Sequence, residues 1–146
     1  MPMSKPEIRA ADLDDARAIS RLVTQLGYTT SPDEMVARLS GILQHPDYLT
    51  FVAETNDEVV GVIGAGVGRY YEKDGWYGRI LVIAVGEKYR GAGVGKSLVE
   101  EAEQQLRVRG IRSIVVNSGS QRSEAHRFYE RLGFEETGVR FVKSLS

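Results

Sequence analysis

Apolar residues recur along this chain at two spacings, and the switches between them mark its elements. Leu13, Ala16, Ile19, Leu22, Val23 and Leu26 stand three and four apart, the period of a helix with one buried face. Asp12 or Asp14 supplies its cap and Gly27 its terminator. Ser31-Pro32-Asp33-Glu34 starts a second helix, with Ser31 as cap, Pro32 in the first position and Glu34 closing a capping box. Met35, Val36, Leu39, Ile42 and Leu43 form its inward stripe, and His45-Pro46 stops it. The period then drops to that of a strand. Glu7–Ala10 reads as a short first strand, Tyr48–Glu54 as a second and Val59 to about Tyr70 as a third, with a turn at Asn56-Asp57 between the last two. Glu72–Gly75 is another turn, and Trp76–Val85 the next strand. Val94, Leu98, Ala102, Leu106 and Val108 restore helical spacing up to Arg109, and Gly110 ends it. Ile111–Val116 predicts a strand, Ser123–Leu132 a short helix ended by Gly133, and Phe134–Leu145 one or two further strands turning at Thr137-Gly138.

Three consecutive hairpin-linked strands followed by a strand–helix–strand crossover predict an α/β (α+β mixed) fold. Its core is a central mixed, mostly antiparallel sheet of six to seven strands with helices on both faces. The 146 residues fit a single domain over 1–146, with 1–5 as a flexible leader. Composition narrows function mainly by exclusion. A formal net charge of -1 offers no electrostatic footprint for nucleic acid. No apolar run approaches the roughly 18 residues of a membrane span, and the polar start lacks a signal-peptide core, so the expected location is cytoplasmic. The absence of cysteine removes disulfides, thiolate metal sites and a cysteine-acyl intermediate. With only His45 and His126, far apart, no metal site is expected.

The chemistry concentrates where the apolar run Ile80–Val85 meets the helix beginning at Val94. Gly91, Gly93 and Gly95 lie between or at the junction, and lacking Cβ atoms they let backbone turn sharply and approach a ligand. The first amides of a helix have no intrahelical partner and sit at the positive end of its dipole, which suits a phosphate. Three patterns compete. A P-loop uses the Gly95-Lys96-Ser97 end but needs glycine where Arg90 stands. A dinucleotide fingerprint needs glycine where Lys96 stands. Arg90-Gly91-Ala92-Gly93-Val94-Gly95 fits [QR]-x-x-G-x-[GA] at every fixed position.

That third pattern, after a strand and opening a helix, resembles the pyrophosphate loop of the GNAT superfamily of N-acetyltransferases. Downstream, Ala125-His126-Arg127-Phe128-Tyr129-Glu130-Arg131-Leu132-Gly133-Phe134 resembles the second GNAT segment, A-x-x-[FL]-Y-x-[KR]-x-G-F. The resemblance implies the acyl-CoA N-acyltransferase fold and an acetyl-CoA-dependent N-acetyltransferase acting directly on a primary amine of a small molecule or peptide, without a covalent acyl-enzyme. It implies that main-chain groups at Ile83 and Val85 pair with pantetheine. The pyrophosphate would then rest on amides of Gly91, Ala92, Gly93, Val94, Gly95 and Lys96, with the Arg90 and Lys96 side chains adding charge. Phe128 adds a coenzyme contact, Asn117 either bonds pantetheine or substrate or simply ends its strand in a turn, and Tyr129 becomes the acid for the leaving thiolate. It also implies a homodimer. Two other readings stand beside it: an acetyl-CoA-binding sensor without turnover, and a P-loop-type nucleotide-binding protein.

The sequence departs from a common family pattern at one point. Many relatives carry an acidic residue midway along the strand, near Leu81 or Val82, and this chain has none there. Glu54, Glu72, Asp74 and bulk water are the candidates for the base. Tyr70, Tyr71, Trp76 and Tyr77 gather at the third turn, either as hairpin-pairing residues or as a wall for an amphipathic or cationic amine drawn by Glu72 and Asp74. His126 is expected on the solvent face of its helix.

Overall fold

A computed structural model describes residues 5–117, 123–138 and 140–145. The leader read at 1–5 lies outside the described residues except for Lys5. The elements run β1 (Glu7–Ala10), α1 (Ala16–Gln25), α2 (Pro32–Ile42), β2 (Tyr48–Thr55), β3 (Glu58–Arg69), β4 (Trp76–Val85), α3 (Val94–Val108), β5 (Ile114–Val116) and α4 (Ser123–Arg131). They fall into two compact units, Met1–Val115 and Val116–Ser146.

The sheet order is β1-β2-β3-β4-β5, with β1 to β4 antiparallel in sequence. The β2–β3 hairpin turns on Asn56 and Asp57, both at positive φ (51° and 61°), which these two side chains tolerate better than most. After α3 the chain returns to β5 beside β4, and a helical crossover between neighbouring strands makes them parallel.

Both faces of the sheet are covered in the first unit. Ala16, Ile19 and Leu22 of α1 and Met35 and Leu39 of α2 pack with Val52, Val62 and Ala84 from three neighbouring strands. Successive strand residues face opposite ways, so Gly61 faces away from that cluster. A Cβ at Gly61 would lie 3.0 Å from both Leu98 Cδ1 and Val94 Cγ1, placing α3 on the second face. Leu98 and Val99 are fully buried there. The expected box of Ser31 and Glu34 opens α2, and of the two candidate caps at the first start it is Asp12 that acts, closing a box with Asp15 around the 3-10 turn before α1.

Five strands, not six to seven, make up the sheet among the described residues. The tail at 134–138 and 140–145 has apolar alternation but no ladder, and its Phe141, Val142 and Leu145 are 91%, 76% and 95% exposed. Alternation makes a strand only where one face is buried and the backbone finds a partner. β5 likewise begins at Ile114, not Ile111, because Ile111 still closes the end of α3, its amide donating to Leu106 O. No helix of the described residues is long and apolar enough to cross a membrane.

A polar tie holds β1 to the start of α1. Arg9 Nη1 and Nη2 donate to both oxygens of Asp15 at 2.9 and 2.8 Å, while Arg9 Nε donates to Glu54 at 2.8 Å. The Asp15 side chain is only 6% exposed. Burial alone would raise its carboxyl pKa, but the Arg9 hydrogen bonds, the Asp12 amide and the Arg9 charge together hold it below its ordinary value of 3.8. A depressed pKa gives stability that is complete above the unfolded-state value and lost as pH falls through the folded one. Asp15→Asn is expected to lower unfolding free energy by about 2 kcal/mol at neutral pH. In urea titrations the gap to the parent should shrink as pH drops below the ordinary carboxylate range; a gap independent of pH would assign the loss to packing instead.

Candidate active site

β4 carries a one-residue irregularity that decides what each of its side chains faces. Gly64 pairs with Val82 but Ala65 pairs with Ile80, so Leu81 is an extra residue with no opposite number. Before this bulge Gly78 and Ile80 face α3, and a Cβ at Gly78 would meet Leu106 Cδ1 at 2.5 Å. Beyond it, Val82 and Ala84 face the α1–α2 side, and Leu81 joins Arg79 and Tyr77 on that same side. The unbroken apolar run had hidden this change of parity.

The main-chain groups of β4 are set by the same register. The amide of Gly86 donates to Val60 O at 2.8 Å, so residue 86 turns toward β3 and, by alternation, so does Ala84. Ile83 and Val85 therefore turn their N–H and C=O groups to the outer edge. Val85 O bears this out by accepting from Arg90 Nε at 3.4 Å. β5 has three residues against the ten of β4 and starts level with its beginning, where Gly78 N donates to Ser113 O at 2.8 Å.

A 3-10 turn, Glu87–Tyr89, leads from β4 into the glycine loop. It is moored by Tyr89, whose hydroxyl donates to Glu58 at 3.0 Å. That hydrogen bond, with burial and the carboxylate charge, pushes the phenol pKa up. Gly91 and Gly93 adopt φ of 79° and 85°, and Gly93 is the residue that caps α3, with no side-chain bond to its first amides. Among the described residues nothing receives the amides of Val94, Gly95 or Lys96, while Ser97 N already reaches Gly93 O at 3.0 Å. Arg90, Gly91, Ala92, Gly93 and Lys96 are exposed, Gly95 is half-buried, and Val94 is buried as the loop's apolar anchor. An exposed row of donors at the positive end of a fifteen-residue helix suits an anion such as a pyrophosphate.

The second unit contains the remaining candidates. Tyr129 is buried on α4, its ring centroid 5.2 Å from Phe128 and 5.5 Å from Phe134, both edge-on. The amide of Phe134 donates to Tyr129 O at 3.0 Å, closing the helix end around Gly133. Phe128 is half-buried and Asn117, just after β5, is exposed. His126, expected on a solvent face, is half-buried.

Among the candidate bases, Glu54 is engaged by Arg9 and Glu72 and Asp74 sit in an exposed turn. The aromatic turn is also committed: Arg69 lies 4.8 Å over the Trp76 ring and Lys73 4.4 Å over Tyr70. The chain's own cations thus take one face each of Trp76 and Tyr70, while Tyr71 stays fully exposed. Sequence reasoning missed a pocket of about 250 Å³ on the α1–α2 side of the sheet, lined by His45, Asp47, Tyr48, Tyr77, Arg79 and Leu81 among others. The available signal was the glycine alternation at Gly64, Gly66 and Gly68, which clears one face of β3. No group of three or more His, Cys, Asp and Glu among the described residues is placed to hold a metal ion.

The model of the acetyltransferase (GNAT) family matches residues 16–134. The chain belongs to the GNAT family of acetyltransferases. It is 29% identical over 144 residues, 95% of its length and 91% of the relative's, to the aminoalkylphosphonate N-acetyltransferase of Salmonella typhimurium. It is 32% identical over 140 residues to an uncharacterized N-acetyltransferase of Chlorobaculum tepidum, covering 93% of this chain and 79% of that one. The fold matches an aminoglycoside N-acetyltransferase solved in complex with CoA, with a TM-score of 0.86 and 22% identity over 100% of this chain and 99% of that one. Membership settles the competition among motifs at the loop: this GNAT protein is an acetyltransferase, not a P-loop nucleotide binder.

The loop itself yields a stability test. A Cβ at Gly93 would meet nothing within 4 Å, so only its φ resists substitution. Gly93→Ala should cost about 1–2 kcal/mol and Gly93→Asn distinctly less, since asparagine visits this conformation more readily. Chemical denaturation of both variants checks the order; equal losses would point to packing.

Proposed function

We propose that this GNAT protein transfers the acetyl group of acetyl-CoA directly to a primary amine of a small molecule or peptide. The observation that carries the reading is the uncapped start of α3, presented at the end of a β4 edge whose Ile83 and Val85 main-chain groups face outward. Those two residues suit the amide-bearing pantetheine arm, as an added strand would be suited. The amides from Gly91 to Lys96, of which those of Val94, Gly95 and Lys96 have no acceptor among the described residues, suit the pyrophosphate, with Arg90 and Lys96 contributing charge. Asn117 and Phe128 are assigned to coenzyme contacts through the family pattern. The relatives' names, an aminoalkylphosphonate and an aminoglycoside acetyltransferase, support a small amine as acceptor.

The chemistry needs positioning more than reactive side chains. The amine must arrive deprotonated, and its lone pair then attacks the thioester carbonyl carbon. The carbonyl electrons move onto oxygen, where an outward N–H near Val85 stabilises them. As the carbonyl re-forms, the C–S bond breaks and Tyr129 gives its phenolic proton to the departing sulfur. The attacking nitrogen loses its remaining extra proton and an amide is left. With no cysteine in the chain, an enzyme-bound thioester is not available as an intermediate. Matching residues run from 16 to 134 and so cross both compact units, which supports one catalytic domain.

Mixing the protein with acetyl-CoA and a panel of amines, while following free thiol, tests the whole reading. Thiol release stoichiometric with N-acetylated product is expected. Tight coenzyme binding without release from any amine would replace it with a sensor. Tyr129→Phe should lower kcat by about ten- to a thousand-fold with coenzyme binding retained. A parental rate would remove Tyr129 as the acid.

A further inference from the structure

The pocket on the α1–α2 side of the sheet has an unusual charge arrangement for a protein that handles amines. Gly66 and Gly68 form its floor, because a Cβ there would lie 3.2 Å from Leu81 Cδ1 or 2.6 Å from Tyr77 Cζ. The wall from His45 to Tyr48 is fixed at several points. Asp47 O accepts from Val67 N at 2.9 Å, Pro46 O accepts from Arg109 Nη1 at 2.7 Å, and His45 packs edge-on to Tyr48 at 5.1 Å. The Asp47 amide donates to His45 Nδ1 at 3.1 Å. Arg79 projects from β4 as the pocket's cation and, among the described residues, has neither an ion pair nor a side-chain hydrogen bond. Arg9, by contrast, has two carboxylates. Asp47 is the one carboxylate on the lining.

We propose that this pocket receives the acceptor and that Arg79 selects amines that also carry a phosphonate, phosphate or carboxylate. The proposal rests on the acetyltransferase reading and names its substrate class. A guanidinium offers a planar fork of donors that matches such an anion in two parallel hydrogen bonds. Asp47 supplies the opposite sign, so the pocket complements a small molecule bearing both charges. Its volume of about 250 Å³ falls just below the roughly 300 Å³ at which drug-sized ligand sites begin, which suits an acceptor of only a few heavy atoms. Polyamines would meet Arg79 as a like charge. Leu81, the bulge residue, stands at the rim on the face it shares with Arg79. An acceptor held by its anion is therefore carried on the same strand, on the other side of the bulge from the Ile83 and Val85 edge.

Two measurements on the full chain separate this proposal from the activity it rests on. Calorimetric titration, with and without CoA, compares β-alanine and aminomethylphosphonate with ethanolamine and spermidine. The anionic amines should bind best, Arg79→Gln should weaken them about 10- to 100-fold, and Arg79→Lys should recover part of the loss. In the thiol-release assay, Arg79→Gln should reduce the preference for β-alanine over ethanolamine, as a ratio of kcat/KM, by a similar factor, and Arg79→Glu should shift preference toward spermidine. Unchanged binding of both anionic amines in Arg79→Gln, or spermidine as the best ligand of the parent, overturns the proposal and makes Arg79 a solvated surface residue. Arg79-dependent binding of the anionic amines without thiol release from any amine would instead remove the acetyl-transfer reading and leave the anion site standing. Arg79 is exposed, so the melting temperatures of these variants should match the parent's and exclude misfolding.

Discussion

The approach of α3 to β3 at Gly61 is the contact on which the rest of the first unit depends. A Cβ at residue 61 would stand 3.0 Å from Leu98 Cδ1 and Val94 Cγ1, so the glycine lets the helix pack closely and even alanine there would press those two side chains aside by a few tenths of an ångström. Val94 is also the first residue of the helix, and its burial fixes the height at which the free amides of the first turn are presented. Gly93, the residue before that buried start, turns the chain into the helix in a left-handed conformation. A larger residue at position 61 would therefore act on the loop at a distance, by lifting the helix that displays it.

The bulge at Leu81 is the second constraint, and it divides β4 into halves with different duties. The first half uses Gly78 and Ile80 to bed the far end of α3 and gives its other face to the pocket. The second half uses Ala84 to close the core under α1 and leaves Ile83 and Val85 with outward main-chain groups. Without the extra residue, Ile80 and Ala84 would share a face and one of the two helical layers would lose its contact. One inserted residue thus lets a single strand serve a packed layer, a pocket and an open edge.

This division explains which parts were legible in sequence. The Asp12 cap, the Ser31–Glu34 capping box, the Asn56-Asp57 turn and the positive-φ glycines each depend on a few adjacent residues, and they stand where local chemistry placed them. The left-handed turns at Gly91 and Gly93 were readable for the same reason, and the resemblance those residues carried named the family whose model matches. The bulge was not, since Ile80 to Val85 is apolar throughout and a run without alternation carries no parity to shift. The tail strands were over-read because Phe141, Val142 and Leu145 are apolar yet bury nothing. The pocket joins residues more than thirty positions apart, Asp47 and Arg79, and no spacing rule links a loop after one helix to the middle of a distant strand.

Charge shows the same limit of composition. A net charge of -1 suggests a surface with no preference, yet the charges are sorted by the fold. Arg9 is spent on Asp15 and Glu54, Arg69 and Lys73 on aromatic faces, and Arg109 on the Pro46 carbonyl. Each of those cations has a structural occupation, and Arg79 has none among the described residues. The carboxylate missing from the middle of β4 has a counterpart of a kind in Asp47, which reaches the same face of the sheet from the α2–β2 connection. A site that lacks the family's strand acid but gains a cation on the strand and an acid opposite it is built to recognise both ends of a small amphoteric amine. Its selectivity would then come from the distance between those two charges rather than from the depth of an apolar pocket.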